Sequence, residues 1–502
     1  MSQYDHLRNG SDIRGIALPD TGKEVTLTPE ACTAIGRGFG RYLFRRAGRP
    51  VRVVLGRDCR LSGEKMLAWL AQGLCETGMQ VTDVGPATTP AMFYATVMEP
   101  DPFEAAVMVT ASHLPFERNG YKFFYNAEGL GGADVKEILA LAEGEETTGL
   151  PAGTVEPGEI LAPYAASLRT FIQNSLDGGE QPLSGLHIVT DAGNGMGGFY
   201  ATHVLRPLGA DISGSVYLEP DGRFPNHVPN PENAEAMRSI SRAVMESKAD
   251  FGLIFDTDVD RAGAVLPDGS ELNRNRLIAA ISAILLREHP GTAIVTDSIT
   301  STGLTDFIRS RGGVHCRYRR GYRNVIDKAK ELNAAGIDCQ LAIETSGHAA
   351  LAENRFQDDG AYLMTRFVIE LTRCRREGRD FSSLIAGLRE CAEEREFRMA
   401  LTVPDFIPAG QRVLDGLAAS LSSQPGWRAE EENYEGIRVN LDAAHGSGWF
   451  LLRLSLHEPL LALNIESDLP GGVRTIAAQL FPILSAYSYL DVSSMDTYLR
   501  EE

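Results

Sequence analysis

Five short stretches carry side chains able to do chemistry. In the first, the apolar run Ala105–Val109 reads as a buried strand ended by Pro115, so Ser112 and His113 fall in the turn at its end, with Lys122 close behind. α/β proteins place their reactive groups at such strand ends. The hydroxyl is a candidate nucleophile and the lysine a candidate anion-binding group. Adjacent residues of an extended chain face opposite ways, so adjacency alone does not make His113 a base for Ser112. The second stretch is Phe251–Phe255 followed by Asp256, Asp258, Asp260 and Arg261. Aspartates at i, i+2 and i+4 of an extended backbone share one side, where they repel unless a cation lies among them. Oxygen ligands of this kind suit magnesium. The glycine and terminal glutamate of an EF-hand loop are missing.

In the third, the apolar run 341–343 ends in Glu344, Thr345, Ser346, Gly347 and His348, groups able to hydrogen-bond the hydroxyls of a polyol. The fourth holds Arg317, Arg319, Arg320 and Arg323 around Gly321; such a cluster is either solvated charge or a bidentate phosphate holder. The fifth puts Arg453, Ser455 and His457 at alternate positions of a strand, a row able to grip a phosphate oxyanion.

The elements needed to position these loops recur along the chain. A strand at 51–55 runs into Gly56, Arg57, Asp58, Cys59 and Arg60. Strands at 186–191 and 293–297 likewise run into polar turns and helix starts. Helical patterns at 29–44, 64–77 and 90–98 alternate with strands at 81–84 and 105–109. This alternation predicts three related mixed α/β domains. The tail, with strands at 439–442, 448–454 and 460–466 and a helix at 472–484, predicts a smaller α+β domain. Boundaries are expected to divide the chain into 1–155, 156–268, 269–390 and 391–502.

The 502 residues exceed what one core serves, and 43% hydrophobic content is ordinary for globular chains. A net charge of −19 opposes a nucleic-acid partner. Seven cysteines without a Cys-x-x-Cys pair predict free thiols in a cytoplasmic setting, with neither disulfide framework nor zinc site. The longest apolar run, 277–286, is too short to span a bilayer and predicts a buried helix; no secretory leader or membrane partner is expected.

One competing motif is Gly193-x-Gly195-x-x-Gly198, which follows a strand and matches a dinucleotide-binding turn, with Glu219 as a possible ribose ligand. That reading, an NAD-dependent oxidoreductase, leaves the serine and aspartate loops without a role.

Taken in order, the segments around Ser11-Asp12-Ile13-Arg14-Gly15, Thr110 to Pro115 with Asn119 to Lys122, Asp256 to Arg261, Glu344 to His348 and Arg453 to Pro459 resemble the α-D-phosphohexomutase superfamily, the phosphoglucomutases and phosphomannomutases. The resemblance covers essentially the whole chain and implies four domains around a central cleft. It implies a phosphosugar mutase that moves a phosphoryl group between the 1- and 6-positions of glucose or mannose phosphate through a bisphosphate. Ser112 would be carried as a phosphoserine, and Ser112, Asp256, Asp258 and Asp260 would hold Mg2+. Glu344, Ser346 and His348 would read sugar hydroxyls; Arg453 and Ser455, with His457 beside them, would hold the sugar phosphate. Arg14, Lys122 and Arg261 resemble the family's catalytic cations, Lys122 or His113 its proton-transfer group, and Arg319 and Arg323 a basic pair of the third domain. A hexose bisphosphate activator and a monomer or homodimer fit the same picture. The chain departs from the family at Leu114, where asparagine is usual, at Thr257 and Val259, where glycines are usual, and at Leu456 and His457 in the phosphate loop. These departures place it on a divergent branch. Phosphoglucosamine mutase, or a phosphosugar-binding regulatory protein without turnover, would carry the same loops.

Overall fold

Ala105–Val109 is wholly buried, as its unbroken apolar sequence requires of a strand covered on both faces. It lies mid-sheet: the order is Arg8–Asn9, Asp12–Ile16, Arg118–Tyr125, Ala105–Val109, Arg52–Arg57, Gln80–Pro86 and Val155–Pro157, with Glu128–Gly129 beside Arg118–Tyr125. Arg52–Arg57 runs parallel to Ala105–Val109, whereas Arg118–Tyr125 runs antiparallel and sets Lys122 opposite Met108. The computed structural model describes residues 2–19, 22–144, 149–177, 179–455 and 458–501; Leu456 and the expected phosphate ligand His457 lie outside them.

Helices cover this sheet where local signals start and stop them. Pro29–Ala47 begins at Thr28, whose side chain accepts the Ala31 N–H, and ends at left-handed Gly48, three residues beyond the sequence expectation. Gly63–Glu76 packs on it, and both bury Phe39, Leu70 and Leu74 in one core with Val53 and Val107. The helix expected at 90–98 is shorter, Thr89–Tyr94, because the Phe103 N–H bonds back to the Ala95 carbonyl and turns the chain.

The chain divides into two compact units, Met1–Leu277 with Ser346–Leu384, and Ile278–Thr345 with Ile385–Glu502. The first also holds a four-stranded sheet ordered Glu271–Leu272, Ala262–Val265, Phe251–Phe255 and Ile188–Asp191, against which the apolar face of Ala234–Ser247 packs. Phe251–Phe255, buried at every position, delivers Asp256 at its end.

In the second unit Ala293–Thr296 lies between Val314–Arg317 and Cys339–Ile343, all parallel. Its other sheet is fully antiparallel: Glu393–Ala400, Leu460–Ser467, Gly448–Leu454, Ile437–Leu441, Trp427–Ala429. Helices Phe406–Ser420 and Gly472–Leu484 close a core over it, the smaller α+β arrangement expected of the tail. The apolar run 277–286 is inside helix Arg274–Glu288, and among the described residues no helix is long and apolar enough to cross a membrane.

Candidate active site

Ser112 sits past the end of its strand with φ +52°, a left-handed backbone uncommon for a residue with a side chain. Its N–H donates to Thr110 Oγ1 at 2.9 Å. Its hydroxyl donates to Asp256 Oδ2 at 3.0 Å and accepts from Arg261 Nη2 at 2.9 Å. The nucleophile expected from one domain therefore meets the carboxylate and guanidinium of another. His113 Nδ1 is 3.3 Å from the same hydroxyl but 2.5 Å from Arg261 Nη2. A guanidinium only donates, so Nδ1 accepts from it. Burial, then the charges of Arg261 and Arg14, pull the His113 pKa down to about 2, and the ring is neutral at physiological pH.

Asp256, Asp258 and Asp260 are buried and offer oxygens within 4.8 Å of one another. Lys122 Nζ lies 2.9 Å from Asp258 Oδ2 and also pairs with Asp260. Thr89 adds its hydroxyl to Asp258 Oδ2 at 2.5 Å and its N–H to the Asp258 carbonyl at 2.9 Å. Burial and the neighbouring Asp260 push Asp256 up to about 8; at Asp258 burial acts the same way but Lys122 outweighs it and holds the carboxyl below its ordinary range. Burial opposes the Lys122 charge as well, yet Asp258 and Asp260 raise its pKa well above the usual value, so it is a fixed cation. Asp258 Oδ1 and Asp260 Oδ1 are buried without a hydrogen bond. Two unsatisfied carboxylate oxygens and a hydroxyl beside three carboxylates fit a hard divalent cation such as Mg2+. Val259 takes φ +70° here, where a glycine would be relaxed; a β-branched residue in that region carries strain of order 1–3 kcal/mol.

Arg14 reaches this loop from Asp12–Ile16, paired opposite Gly120, where a side chain would strike Ile13 and Arg14 itself. Its guanidinium donates to the Thr110 carbonyl and, at 2.6 Å, to Asp12. His348 closes in from Ser346–Leu384. Gly347, at φ +95° and pressed on the Ala262 backbone, permits the approach. His348 Nδ1 is 2.5 Å from Asp358 Oδ2 and 3.9 Å from Asp260 Oδ1. Burial lowers its pKa, but Asp358 and Asp260 prevail and raise it to about 9. The ring is therefore protonated at neutral pH. Ser346 Oγ is buried without a hydrogen-bond partner.

The remaining expected residues belong to the second unit. Glu344 Oε1 accepts the Gly321 N–H at 2.5 Å. Arg319 Nε donates to the Tyr434 carbonyl at 3.1 Å, and the Arg320 N–H and Ser298 hydroxyl both donate to Glu435 Oε2, at 3.1 and 2.5 Å. Arg323 pairs with Asp327 one helical turn on, an ordinary i,i+4 surface pair. Arg453 is buried on Gly448–Leu454, its Nε without a hydrogen bond, and the Ser455 hydroxyl accepts the Glu458 N–H at 3.3 Å. The first unit thus gathers Arg14, Ser112, His113, Lys122, the three aspartates, Arg261, Ser346 and His348; the second carries Glu344, Arg319, Arg323, Arg453 and Ser455.

The glycine turn at 193–198 binds its own chain. The Gly193 N–H goes to Asp191 Oδ1, Asn194 N–H to the Tyr217 carbonyl, Gly195 N–H to the Ala192 carbonyl and Met196 N–H to the Thr257 carbonyl, at 2.7 to 2.9 Å. No amide of this set is left to cradle a pyrophosphate, and the turn instead buttresses the aspartate loop at Thr257. Asp58, Arg60, Thr89 and Asp358 join the site without having been singled out for it. Asp58 and Arg60 stood at the end of an apolar strand like the other site residues, and that signal could have found them.

A mixed-sheet strand end offering a serine to three buried carboxylates, a lysine and two arginines defines a phosphoryl-transfer centre on an α/β scaffold. Models of the phosphoglucomutase/phosphomannomutase alpha/beta/alpha domains I, II and III match residues 5–148, 162–269 and 273–391. The phosphomannomutase/phosphoglucomutase of Pseudomonas putida is 31% identical over 476 residues, 94% of each chain. The phosphoglucomutase of Neisseria gonorrhoeae is 29% identical over 95% of this chain and 96% of its own. A phosphoglucomutase/phosphomannomutase family protein from Burkholderia thailandensis superposes with a TM-score of 0.79 at 27% identity, covering 96% of this chain and 97% of that one. The chain belongs to the phosphoglucomutase/phosphomannomutase family and is a phosphohexomutase, an intramolecular phosphotransferase.

Proposed function

We propose that the protein interconverts the 1- and 6-phosphates of glucose or mannose through a phosphoserine at Ser112 and a hexose bisphosphate. The observation that carries this reading is the Ser112 hydroxyl held between Asp256 Oδ2 and Arg261 Nη2, 3.0 and 2.9 Å away. Asp256, Asp258 and Asp260 would hold Mg2+, which when bound neutralises phosphoryl charge. Lys122, Arg14 and Arg261 supply fixed positive charge for the oxygens of the moving group. As the phosphoryl group leaves Ser112 Oγ, the P–Oγ bond breaks and a P–O bond to the sugar hydroxyl forms; that hydroxyl loses its proton. That proton ends on the Ser112 oxygen the phosphoryl group has left; His113, its Nδ1 facing the Arg261 guanidinium, is held neutral and is a weak base, and protonated His348 carries a proton it can give. Lys122, bridging two carboxylates, serves as a cation in preference to a base.

Glu344 and Ser346 offer groups suited to sugar hydroxyls, and Arg453 and Ser455, with Arg319 and Arg323, suit a phosphate. In this reading the segments 1–155, 156–268, 269–390 and 391–502 each supply one loop, and a hexose bisphosphate restores phosphoserine lost to water. The net charge of −19 is no obstacle, because only the phosphate-binding groups need be basic.

The test is Ser112→Ala. Mutase turnover on glucose, mannose and glucosamine 1-phosphates, each with a bisphosphate activator, is expected to fall to background while the circular dichroism spectrum is retained. Wild-type protein purified from cells is expected to carry about 80 Da of phosphate that the variant lacks. Full activity in Ser112→Ala would overturn the covalent route, and a preference for glucosamine 1-phosphate would reassign the substrate.

A further inference from the structure

The Ser112 loop is gripped from behind by a residue whose guanidinium hydrogen bonds go to the loop backbone and not to the Ser112 hydroxyl. Arg60, from the turn after Arg52–Arg57, is 1% exposed, and its guanidinium serves four backbone carbonyls of that loop. Nη2 donates to the carbonyls of Ser112 and Leu114 at 2.5 and 2.6 Å, and Nη1 to those of Pro115 and Arg118 at 2.8 and 2.9 Å. Its Nε lies 3.2 Å from Asp58 Oδ2, and Phe224 lies 5.2 Å from the guanidinium carbon.

Asp58 completes the grip from the other side. Its Oδ1 accepts the Arg60 N–H at 2.9 Å and its Oδ2 accepts the Thr110 hydroxyl at 2.7 Å; Thr110 Oγ1 in turn accepts the Ser112 N–H at 2.9 Å. Both backbone polar groups of Ser112 thus lead to one buried ion pair, its carbonyl directly and its amide through Thr110. Ser112 needs such restraint, because φ +52° is not a conformation a serine keeps unaided. Rotating this backbone would swing Oγ off the line between Asp256 and Arg261. A lysine could not substitute: its single ammonium cannot reach four carbonyls spread over seven residues, whereas the planar fork can. At Leu114 this grip falls on the backbone carbonyl, a group any residue there would offer.

We infer that Arg60, acting directly on the loop carbonyls with its partner Asp58 acting through Thr110, is a positioning residue that sets the left-handed geometry of Ser112 and so the rate of phosphoryl transfer. This rests on the reading of Ser112 as the phosphoryl carrier. Displacements near 1 Å cost about 10²-fold in rate when the reacting atoms must be aligned. Sugar-phosphate affinity, supplied by other loops, should not follow.

The experiment measures kcat and KM for glucose 1-phosphate, and the rate at which glucose 1,6-bisphosphate phosphorylates dephosphorylated enzyme, followed by intact mass. In that half-reaction the phosphoryl group passes to Ser112 Oγ, and the serine proton passes to the released hexose monophosphate. Arg60→Lys is expected to lower kcat and the phosphorylation rate about 10²-fold with KM within about threefold. Thr110→Val, which removes only the hydroxyl link and keeps the shape, is expected to lower both about tenfold and covers the case in which Arg60→Lys does not fold. Leu74→Ala, a core truncation in the same domain, should lower the melting temperature and keep kcat, separating positioning from general destabilisation. Wild-type phosphorylation rates in Thr110→Val and in folded Arg60→Lys, or a rise in KM with kcat intact, would overturn the inference alone. A wild-type enzyme that takes no phosphate on Ser112 would overturn it together with the reading beneath it.

Discussion

The expected site residues of the two units meet different kinds of neighbour. Around Ser112 each site cation meets a carboxylate of the same unit: Lys122 meets Asp258 and Asp260, Arg261 Asp256, and His348 Asp358. All of these groups are buried or nearly so. In the second unit Arg319 reaches a backbone carbonyl, Arg323 meets a half-exposed aspartate, and Arg453 keeps an Nε without a hydrogen bond. Groups that stabilise moving charge must be fixed before the reaction, because reorganising them would add to the barrier. Groups that recognise a substrate can wait for it, and an incompletely satisfied arginine is ready to bind phosphate. The fixed set is accordingly tied to stability and the waiting set is not.

That contrast is open to measurement. Lys122→Met should do the most damage, leaving Asp258 and Asp260 uncompensated in the interior; breaking such a pair costs about 3–5 kcal/mol. Urea denaturation is expected to show that loss, with Mg2+ restoring part of it by binding the folded state. A loss under about 1 kcal/mol would break the comparison. Arg453→Lys is expected to raise KM for glucose 1-phosphate about tenfold, with kcat within about threefold and an almost unchanged melting temperature, since bidentate geometry is lost but charge is kept. A fall in kcat without a change in KM would move Arg453 into the fixed set. Arg323→Ala should matter least. Its pair with Asp327 is a surface pair worth about 0–1 kcal/mol, so unfolding should stay close to wild type, while KM for glucose 1-phosphate should rise about threefold, less than in Arg453→Lys, as one charge suited to the phosphate is lost.

Much of the site was readable locally. The strands ending at Val109 and Phe255, the helix from Pro29 and the antiparallel tail all follow from apolar periodicity and capping residues. The serine, lysine and aspartates were singled out as polar groups at or near the ends of such strands, and the structure brings them together. Val259 was read as a departure at a glycine position, and its left-handed backbone gives the physical content of that departure. The role of Arg60 was not readable. An arginine after a strand looks the same whether it faces water or four carbonyls, and nothing in its neighbours names Ser112 as its target. The protonated state of His348 was equally hidden, because it depends on Asp358, ten residues on and brought alongside by the pairing of Ala349–Leu351 with Gln357–Asp358.

The sequence by itself determined the elements, their order and the reactive side chains at their ends, because these depend on residues within one or two turns of one another. Only the tertiary structure decided which carboxylate receives Ser112, 144 positions away, and which two restrain Lys122. Such pairings depend on how whole sheets and loops pack, and no run of neighbouring residues encodes that.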